Sequence, residues 1–365
     1  MSAEVRCDRS DLPRNVVLAG DARERLAELP AASVDCVVTS PPYLGLRDYG
    51  NALDEIGREA TVEEYVAGLL AVCREIARVL KPSGSLWLNL RDVYSRKAGT
   101  GALPKSLLLG PERLLLDLMR NGWLVRNRIV WAKRNSIPES VRDRLSVTHE
   151  DLFLLTRQPT YFFDLDAIRV PHTSRPERRR SQGTPAPVSP YSTGHRGILQ
   201  MQAAGRVGHV NGKNPGTVWS FATSAYRGAH FATFPESLIE RPILSTCPER
   251  LCGKCGRPWS GQYSRRGDKL LRLAYQPACG CEAAAVPGVV LDPFFGSGTV
   301  GVVAQRLGRD WLGIELGPAY RGLARRRIAG AREADLGAPQ DHQDGEQYGR
   351  INNDSKDRGK EVTYE

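Results

Sequence analysis

Val34-Asp35-Cys36-Val37-Val38-Thr39-Ser40-Pro41-Pro42-Tyr43 is the stretch on which the reading of this chain turns. Residues 34–38 are mostly apolar and β-branched, which predicts a buried strand. The strand runs into Ser-Pro-Pro-Tyr. Each proline fixes φ and lacks an N–H, and the residue before a proline is held extended, so Ser40 and Pro41 are pinned. The loop carries one hydroxyl, an outward carbonyl and a flat aromatic ring. That set suits a planar, amino-bearing ring. Tyr43 can stack on its face, while Ser40 Oγ and the Pro41 carbonyl accept the amino hydrogens. Taken alone, an ordinary Pro-Pro turn explains these residues equally well.

A second strand-and-loop unit lies far downstream. Val289-Val290-Leu291-Asp292-Pro293-Phe294-Phe295-Gly296-Ser297-Gly298-Thr299 predicts a buried strand, a glycine-rich loop and a helix over 299–307. Gly296, Gly298 and Gly301 match the G-x-G-x-x-G spacing of dinucleotide sites. In those sites, however, the glycines follow the strand almost directly. Here Asp292-Pro293-Phe294-Phe295 intervenes, and a carboxylate at the loop mouth suits a cationic or hydroxyl-bearing ligand better than a pyrophosphate. The helix N-terminus can still receive a carboxylate. A ligand with an amino-acid end and a nucleoside end fits, and S-adenosylmethionine is such a molecule. Residues 311–314 predict the next strand, ending at Glu315, where an acid suits ribose hydroxyls.

With these residues in hand, the chain resembles the amino-methyltransferases of DNA that modify cytosine N4 or adenine N6. Ser40-Pro41-Pro42-Tyr43 matches that family's target-base loop, and Phe294-Phe295-Gly296-Ser297-Gly298 its F-x-G-x-G cofactor loop. The catalytic loop comes first, the permuted order of the family's β class. Gly20-Asp21 resembles the segment that reaches the cofactor's adenine, and residues 230–236 the element that lines the methionine pocket. The resemblance implies an α/β, Rossmann-like class I methyltransferase with a mostly parallel, doubly wound sheet. It implies catalytic roles for Ser40, Pro41, Pro42 and Tyr43. It further implies S-adenosylmethionine contacts from Asp21, Asp292, Phe294, Gly296, Gly298, Thr299 and Glu315. The expected activity is site-specific methylation of duplex DNA, of the kind paired with a restriction endonuclease. In the family, Ser at the first loop position goes mostly with cytosine N4, and Asp or Asn with adenine N6. Cytosine N4 is therefore expected and adenine N6 stays open. An RNA or protein N-methyltransferase, or a non-catalytic zinc-bearing DNA-binding protein, are the readings from other classes.

Composition agrees with a polyanionic partner. The 365 residues carry a formal charge of +10, and because the last 35 hold 5 basic and 9 acidic groups, the first 330 carry +14. The charged N-terminus has no apolar signal region, and no run reaches the roughly 18 apolar residues of a membrane span, so a soluble cytoplasmic protein gathered on DNA is expected. Thr61-Val62-Glu63-Glu64 is a capping box opening a helix that should stop at Lys81-Pro82-Ser83-Gly84. Pro111 and Gly122 bracket a second helix. Residues 85–90, 123–131 and 151–156 read as strands. Strands alternating with helices imply a mostly parallel sheet covered on both faces.

The organisation expected is a catalytic half over 1–171, a recognition region over 172–228, a cofactor half over 229–330 and a disordered tail over 331–365. Residues 172–230 hold eight Arg or Lys against one acid, Glu177. Arg175, Arg178, Arg179 and Arg180 are the densest cluster and the candidate DNA contacts, since Arg pairs with guanine edges or phosphates. A basic linker is the plainer reading. Finally, Cys252-x2-Cys255 and Cys279-x-Cys281 form two close pairs, near the spacing of a four-cysteine zinc ribbon. A zinc module inserted over about 248–287 is expected, with Cys247 as a spare ligand. Cys7, Cys36 and Cys73 read as isolated thiols.

Overall fold

The computed structural model describes residues 11–46, 55–172, 209, 211–223, 234–266 and 269–337. The chain opens with β1 (Val16–Ala19), α1 (Ala22–Ala27), β2 (Val34–Thr39), α2 (Val62–Val79), β3 (Leu80–Leu90) and α3 (Gly110–Arg120). β4 (Leu124–Lys133), β5 (His149–Thr156), β6 (Val218–Phe221) and α4 (Glu236–Thr246) follow. After four short strands, β7 (Leu251–Cys252), β8 (Ser260–Arg266), β9 (Lys269–Gln276) and β10 (Ala285–Val286), come β11 (Val289–Asp292), α5 (Thr299–Arg306), β12 (Asp310–Glu315) and α6 (Pro318–Gly337).

Among the described residues, eight strands form one sheet in the order β1-β12-β11-β2-β3-β5-β4-β6. β5 runs antiparallel to β3 and β4, and the other neighbouring pairs are parallel. The mostly parallel sheet expected from the sequence is therefore present. Alternate residues feed two cores. Val37, Leu86, Leu88, Phe153 and Leu155 pack with α1, α2 and α3 on one face. Cys36, Val38, Trp87, Leu152 and Leu154 pack with α4, α5 and α6 on the other. Both faces are covered, so β2 and β11 are buried at every position, β3 and β5 at nearly all, and they show no polar alternation.

The capping box at Thr61 is formed: the Glu64 N–H donates to Thr61 Oγ1 and the Thr61 N–H donates to Glu64 Oε2, each at 3.2 Å. The expected stop at 81–84 is not a turn between elements. The helix ends at Val79 and the chain passes at once into β3. The Pro-Ser-Gly signal instead makes a wide bulge: β2 advances from Val34 to Cys36 while β3 advances from Leu80 to Ser85. Inside it, Lys81 is buried against Asp35 at 2.5 Å, and the other Asp35 oxygen accepts the Val289 N–H. Both oxygens of this buried carboxylate are thus partnered, which such a pair requires.

β7 to β10 form the inserted module. β7 pairs with β10, and β8 with β9. The module leaves the C-terminal end of α4 and returns into the first residue of β11, so it sits at the N-terminal edge of the parallel strands. Arg272 ties its hairpin to Asp164, whose N–H donates to Ser245 O. Among the described residues, no helix is long and apolar enough to cross a membrane.

Candidate active site

The opposite edge of the sheet collects the residues singled out in the sequence. β11, α5 and β12 wind one way across the sheet, and β2, α2 and β3 wind the other way. Their reversal leaves a crevice between the C-terminal ends of β2 and β11, where open α/β sheets bind ligands. Thr39 ends β2 and Asp292 ends β11. Thr39 Oγ1 donates to Asp292 Oδ1 at 2.7 Å, and the Phe294 N–H donates to the same oxygen at 3.0 Å. Asp292 is 1% exposed, so it lies under the loop rather than at its mouth. Burial pushes its carboxyl up to about 7, against the two hydrogen bonds and with help from the Glu315 charge.

Ser40 and Tyr43 meet a polar cluster built by three other strands. Ser40 Oγ donates to Asn89 Oδ1 at 3.2 Å, and the Tyr43 hydroxyl lies within hydrogen-bonding reach of the same oxygen at 3.1 Å. Asn89 is turned this way because its Nδ2 donates to Asp151 O at 3.0 Å. The Tyr43 hydroxyl also donates to Glu150 Oε2 at 2.8 Å, and Lys133 Nζ donates to Glu150 Oε1. Burial, then the Glu150 charge, raises the Tyr43 phenol well above its ordinary value, so it stays protonated. The Pro42 carbonyl is taken by the Tyr65 hydroxyl at 2.9 Å. Asn89, Glu150 and Lys133 carried no sequence signal of their own. They arrive through strand pairing, which sets Asn89 opposite Leu152 and Trp131 opposite Glu150.

The downstream loop folds around two glycines with positive φ, Gly296 at +50° and Gly298 at +80°. Gly298 caps α5, and a Cβ there would lie 2.8 Å from the Ala324 Cβ. Glu315 closes the loop from β12: its carboxylate accepts the Gly296 and Gly317 N–H groups, each at 2.7 Å. Its pKa is raised, chiefly by burial. Arg327 reaches from α6 to Ser297 Oγ at 2.7 Å and Thr299 Oγ1 at 3.1 Å, bracing the loop from beneath. Phe295 stacks on Trp311, with centroids 5.4 Å apart, while Phe294 is half-buried on the opposite core. Asp21, at the end of β1, caps α1 through the Arg23 N–H and pairs with the Arg23 guanidinium. The Gly20 N–H beside it donates to Glu315 O at 3.3 Å.

This chain is similar to known proteins over most of its length. The profile of a family described as DNA methylase matches residues 34–326. The chain belongs to that DNA methylase family. It is 35% identical over 343 residues to the type II methyltransferase M.SmaI of Serratia marcescens, covering 88% of this chain and 93% of that one. M.Cfr9I of Citrobacter freundii is 35% identical over 348 residues, covering 89% and 91%. Among solved structures, the cytosine-N4-specific PvuII DNA methyltransferase shares the fold, with a TM-score of 0.53 at 18% identity over 89% of this chain and 93% of that one.

A DNA methylase takes its methyl group from S-adenosylmethionine, and this edge of the sheet suits that donor. The glycine loop opens a helix N-terminus, while two buried acids, Asp292 and Glu315, favour a ligand that brings cations and hydroxyls. The four cysteines expected to bind zinc lie elsewhere, in the module at the N-terminal edge of the parallel strands. The Sγ atoms of Cys252, Cys255, Cys279 and Cys281 all lie within 4.8 Å of one another. Amides of Cys255 and Lys254 pull the Cys252 thiol down to about 6. Cys247 is not among them; it is fully buried against the sheet, so it is no spare ligand. Burial pushes the Cys36 and Cys73 thiols up to about 12, which leaves them inert. Cys7, residues 230–233 and the arginines at 175, 178, 179 and 180 lie outside the described residues.

Proposed function

We propose that this DNA methylase transfers a methyl group to the exocyclic N4 of cytosine at a specific site in duplex DNA, as the modification partner of a type II restriction system. The observation that carries the base-pocket reading is the direction of the Ser40 hydrogen bond. Ser40 gives its hydrogen to Asn89, which leaves its oxygen to act as an acceptor. An amine N–H entering the pocket then meets an acceptor. The lone pair of an exocyclic amine is delocalised into its ring. Accepting an N–H bond returns electron density to that nitrogen and makes it a better nucleophile. Tyr43 offers its ring as the stacking surface for a base that has left the helix. S-adenosylmethionine, when bound, supplies an activated methyl group. The protein's part is alignment and electrostatics, and no covalent enzyme–base bond is needed. Asp21, Asp292, Phe294, Gly296, Gly298, Thr299 and Glu315 form the cofactor side of the crevice. The choice of cytosine rests on Ser40 standing at the first loop position.

The basic segment with Arg175, Arg178, Arg179 and Arg180 serves as the DNA-recognition region in this reading. Its excess of positive charge supports that role. The names of the relatives support the pairing with an endonuclease. Cys252, Cys255, Cys279 and Cys281 hold a structural zinc ion. Four thiolates at about 2.3 Å from zinc stand about 3.8 Å apart at tetrahedral corners, which four sulfurs within 4.8 Å can reach by small side-chain shifts. Such a site is closed and supplies folding energy, not chemistry.

Nucleoside mass spectrometry on DNA from cells expressing the chain tests the assignment, with Tyr43→Ala as control. N4-methylcytosine that is absent from the control is the expected result. N6-methyladenine would overturn the base and keep the pocket. Neither mark, with a cognate site present, would reject the reading.

A further inference from the structure

Glu150 stands out on β5. Its neighbours on the same face of the strand, Leu152 and Leu154, are core aliphatics, 1% exposed each. Its own side chain is 9% exposed. A carboxylate in such a column is costly unless both oxygens find partners. Lys133 satisfies Oε1, and this bond simply ties β5 to its neighbour β4. Oε2 does something the sheet does not need: it accepts the hydroxyl of Tyr43, from the loop after β2.

The base-pocket reading gives that bond a purpose. A tyrosine used as a stacking platform must hold its ring plane, yet its ring is anchored to the backbone at one end only. Here the far end is fixed as well, because the phenol oxygen sits between Glu150 and Asn89, with Ser40 Oγ at 3.3 Å. Bonds to an ionised acceptor are about twice as strong as neutral ones. Lys133 supplies the opposite charge that a buried carboxylate needs as a partner.

We propose that Glu150, paired with Lys133, is a positioning residue that fixes the ring of Tyr43 for the target base. The proposal rests on the reading of residues 40–43 as the base pocket. Lys133 gives it reach. Lys133 closes β4, and Phe221 of β6 lies opposite it. β6 lies within the 172–228 region read as the DNA-recognition segment, so the pair links a strand of that region to the pocket.

A double-mutant cycle tests this. The paired change Lys133→Met/Glu150→Leu removes both charges and strands neither. Combined with Tyr43→Phe, it separates action through the phenol from plain support of the fold. The expected result is a loss of about tenfold or more in kcat for the paired change and a similar loss for Tyr43→Phe. The combination should be no slower than either, and S-adenosylmethionine affinity should not change. Glu150→Gln, which keeps an acceptor for the phenol, should retain most of the turnover. Losses that multiply, or a Tyr43→Phe enzyme as fast as the wild type, would overturn the proposal. If Tyr43→Ala also turns over normally, the pocket reading itself has failed. If Tyr43→Ala is inactive while the cycle is multiplicative, only the role of Glu150 has.

Discussion

Thr39 and Asp292 join the two halves of the site: Thr39 Oγ1 donates to Asp292 Oδ1 at 2.7 Å across the point where the winding of the sheet reverses. The two residues are separated by 253 positions in sequence, and each ends the strand that leads into one of the key loops. Thr39→Val keeps the shape and removes the donor. A buried acceptor that loses one of its two bonds costs about 1–3 kcal/mol. The variant should melt earlier and bind S-adenosylmethionine more weakly. Unchanged melting and affinity would show that the two loops are held by other means.

The raised pKa of Asp292 gives a pH signature. Unfolded, its carboxyl titrates near 3.9; folded, at about 7. Below about pH 4 both states hold the proton, and the stability this group allows is fully present. Between about pH 4 and 7 the folded chain keeps a proton that the unfolded chain has released. Stability therefore falls as pH rises through that window and levels off above it. Asp292→Asn should remove this slope. The comparison is of melting temperatures at pH 5 and pH 8 for the two proteins without cofactor. Equal pH dependence would mean that Asp292 is ionised throughout.

Asn89 sets which way the Ser40 hydroxyl points. Asn89→Leu removes the oxygen that receives the Ser40 hydrogen and lies 3.1 Å from the Tyr43 hydroxyl. Ser40 is then free to turn its own hydrogen toward the incoming amine, where a donor is useless. The expected effect is a loss of kcat of about tenfold or more, with S-adenosylmethionine affinity and melting close to wild type. A loss that appears in cofactor affinity instead would place Asn89 on the other side of the crevice.

What the sequence made legible was local. The two strand-and-loop units, at 34–43 and 289–299, announce themselves through β-branched runs stopped by proline or glycine. The Thr61 capping box sits within four residues. What stayed hidden depends on pairing between distant strands. Asn89, Glu150 and Lys133 belong to three strands; the buried runs of β3 and β5 leave no alternation to single out Asn89 or Glu150, and Lys133 ends the more open β4 like any strand-end lysine. The Lys81-Pro82-Ser83-Gly84 signal was real, but it made a bulge inside β3, because the helix hands over directly to a central strand. Asp292 reads as a loop-mouth acid in sequence. Only the position of Thr39 and the turn at Phe294 show that it points inward.

Gly298 joins backbone strain to close packing. Its φ is +80°, and an added Cβ would meet the Ala324 Cβ at 2.8 Å and its Cα at 3.1 Å. Neither atom is the end of a flexible side chain, so Gly298→Ala must move α6 or unwind the loop. A residue forced into the left-handed region costs of order 1 kcal/mol before any clash is counted. The expected result is a weaker S-adenosylmethionine affinity measured by calorimetry, while DNA binding at low salt is kept. Full affinity in the variant would mean that the loop tolerates another path.

The cysteine module yields the last prediction. Four sulfurs gathered at the edge of the sheet opposite the crevice should hold one zinc per chain, measurable by metal analysis of the purified protein. Cys279→Ser should lose that metal and lower the melting temperature, since metal-binding energy is folding energy in such sites. The module returns directly into β11, so the strand that carries Asp292 would lose its anchor at one end. Chemistry in the crevice should suffer only through that loss of stability. At temperatures well below melting, kcat of the variant should stay within a few-fold of wild type, whereas its half-life on warming should shorten. A metal-free wild-type protein with normal melting would reject the zinc. A zinc-depleted variant that is stable but inactive would give the module a part in the reaction itself.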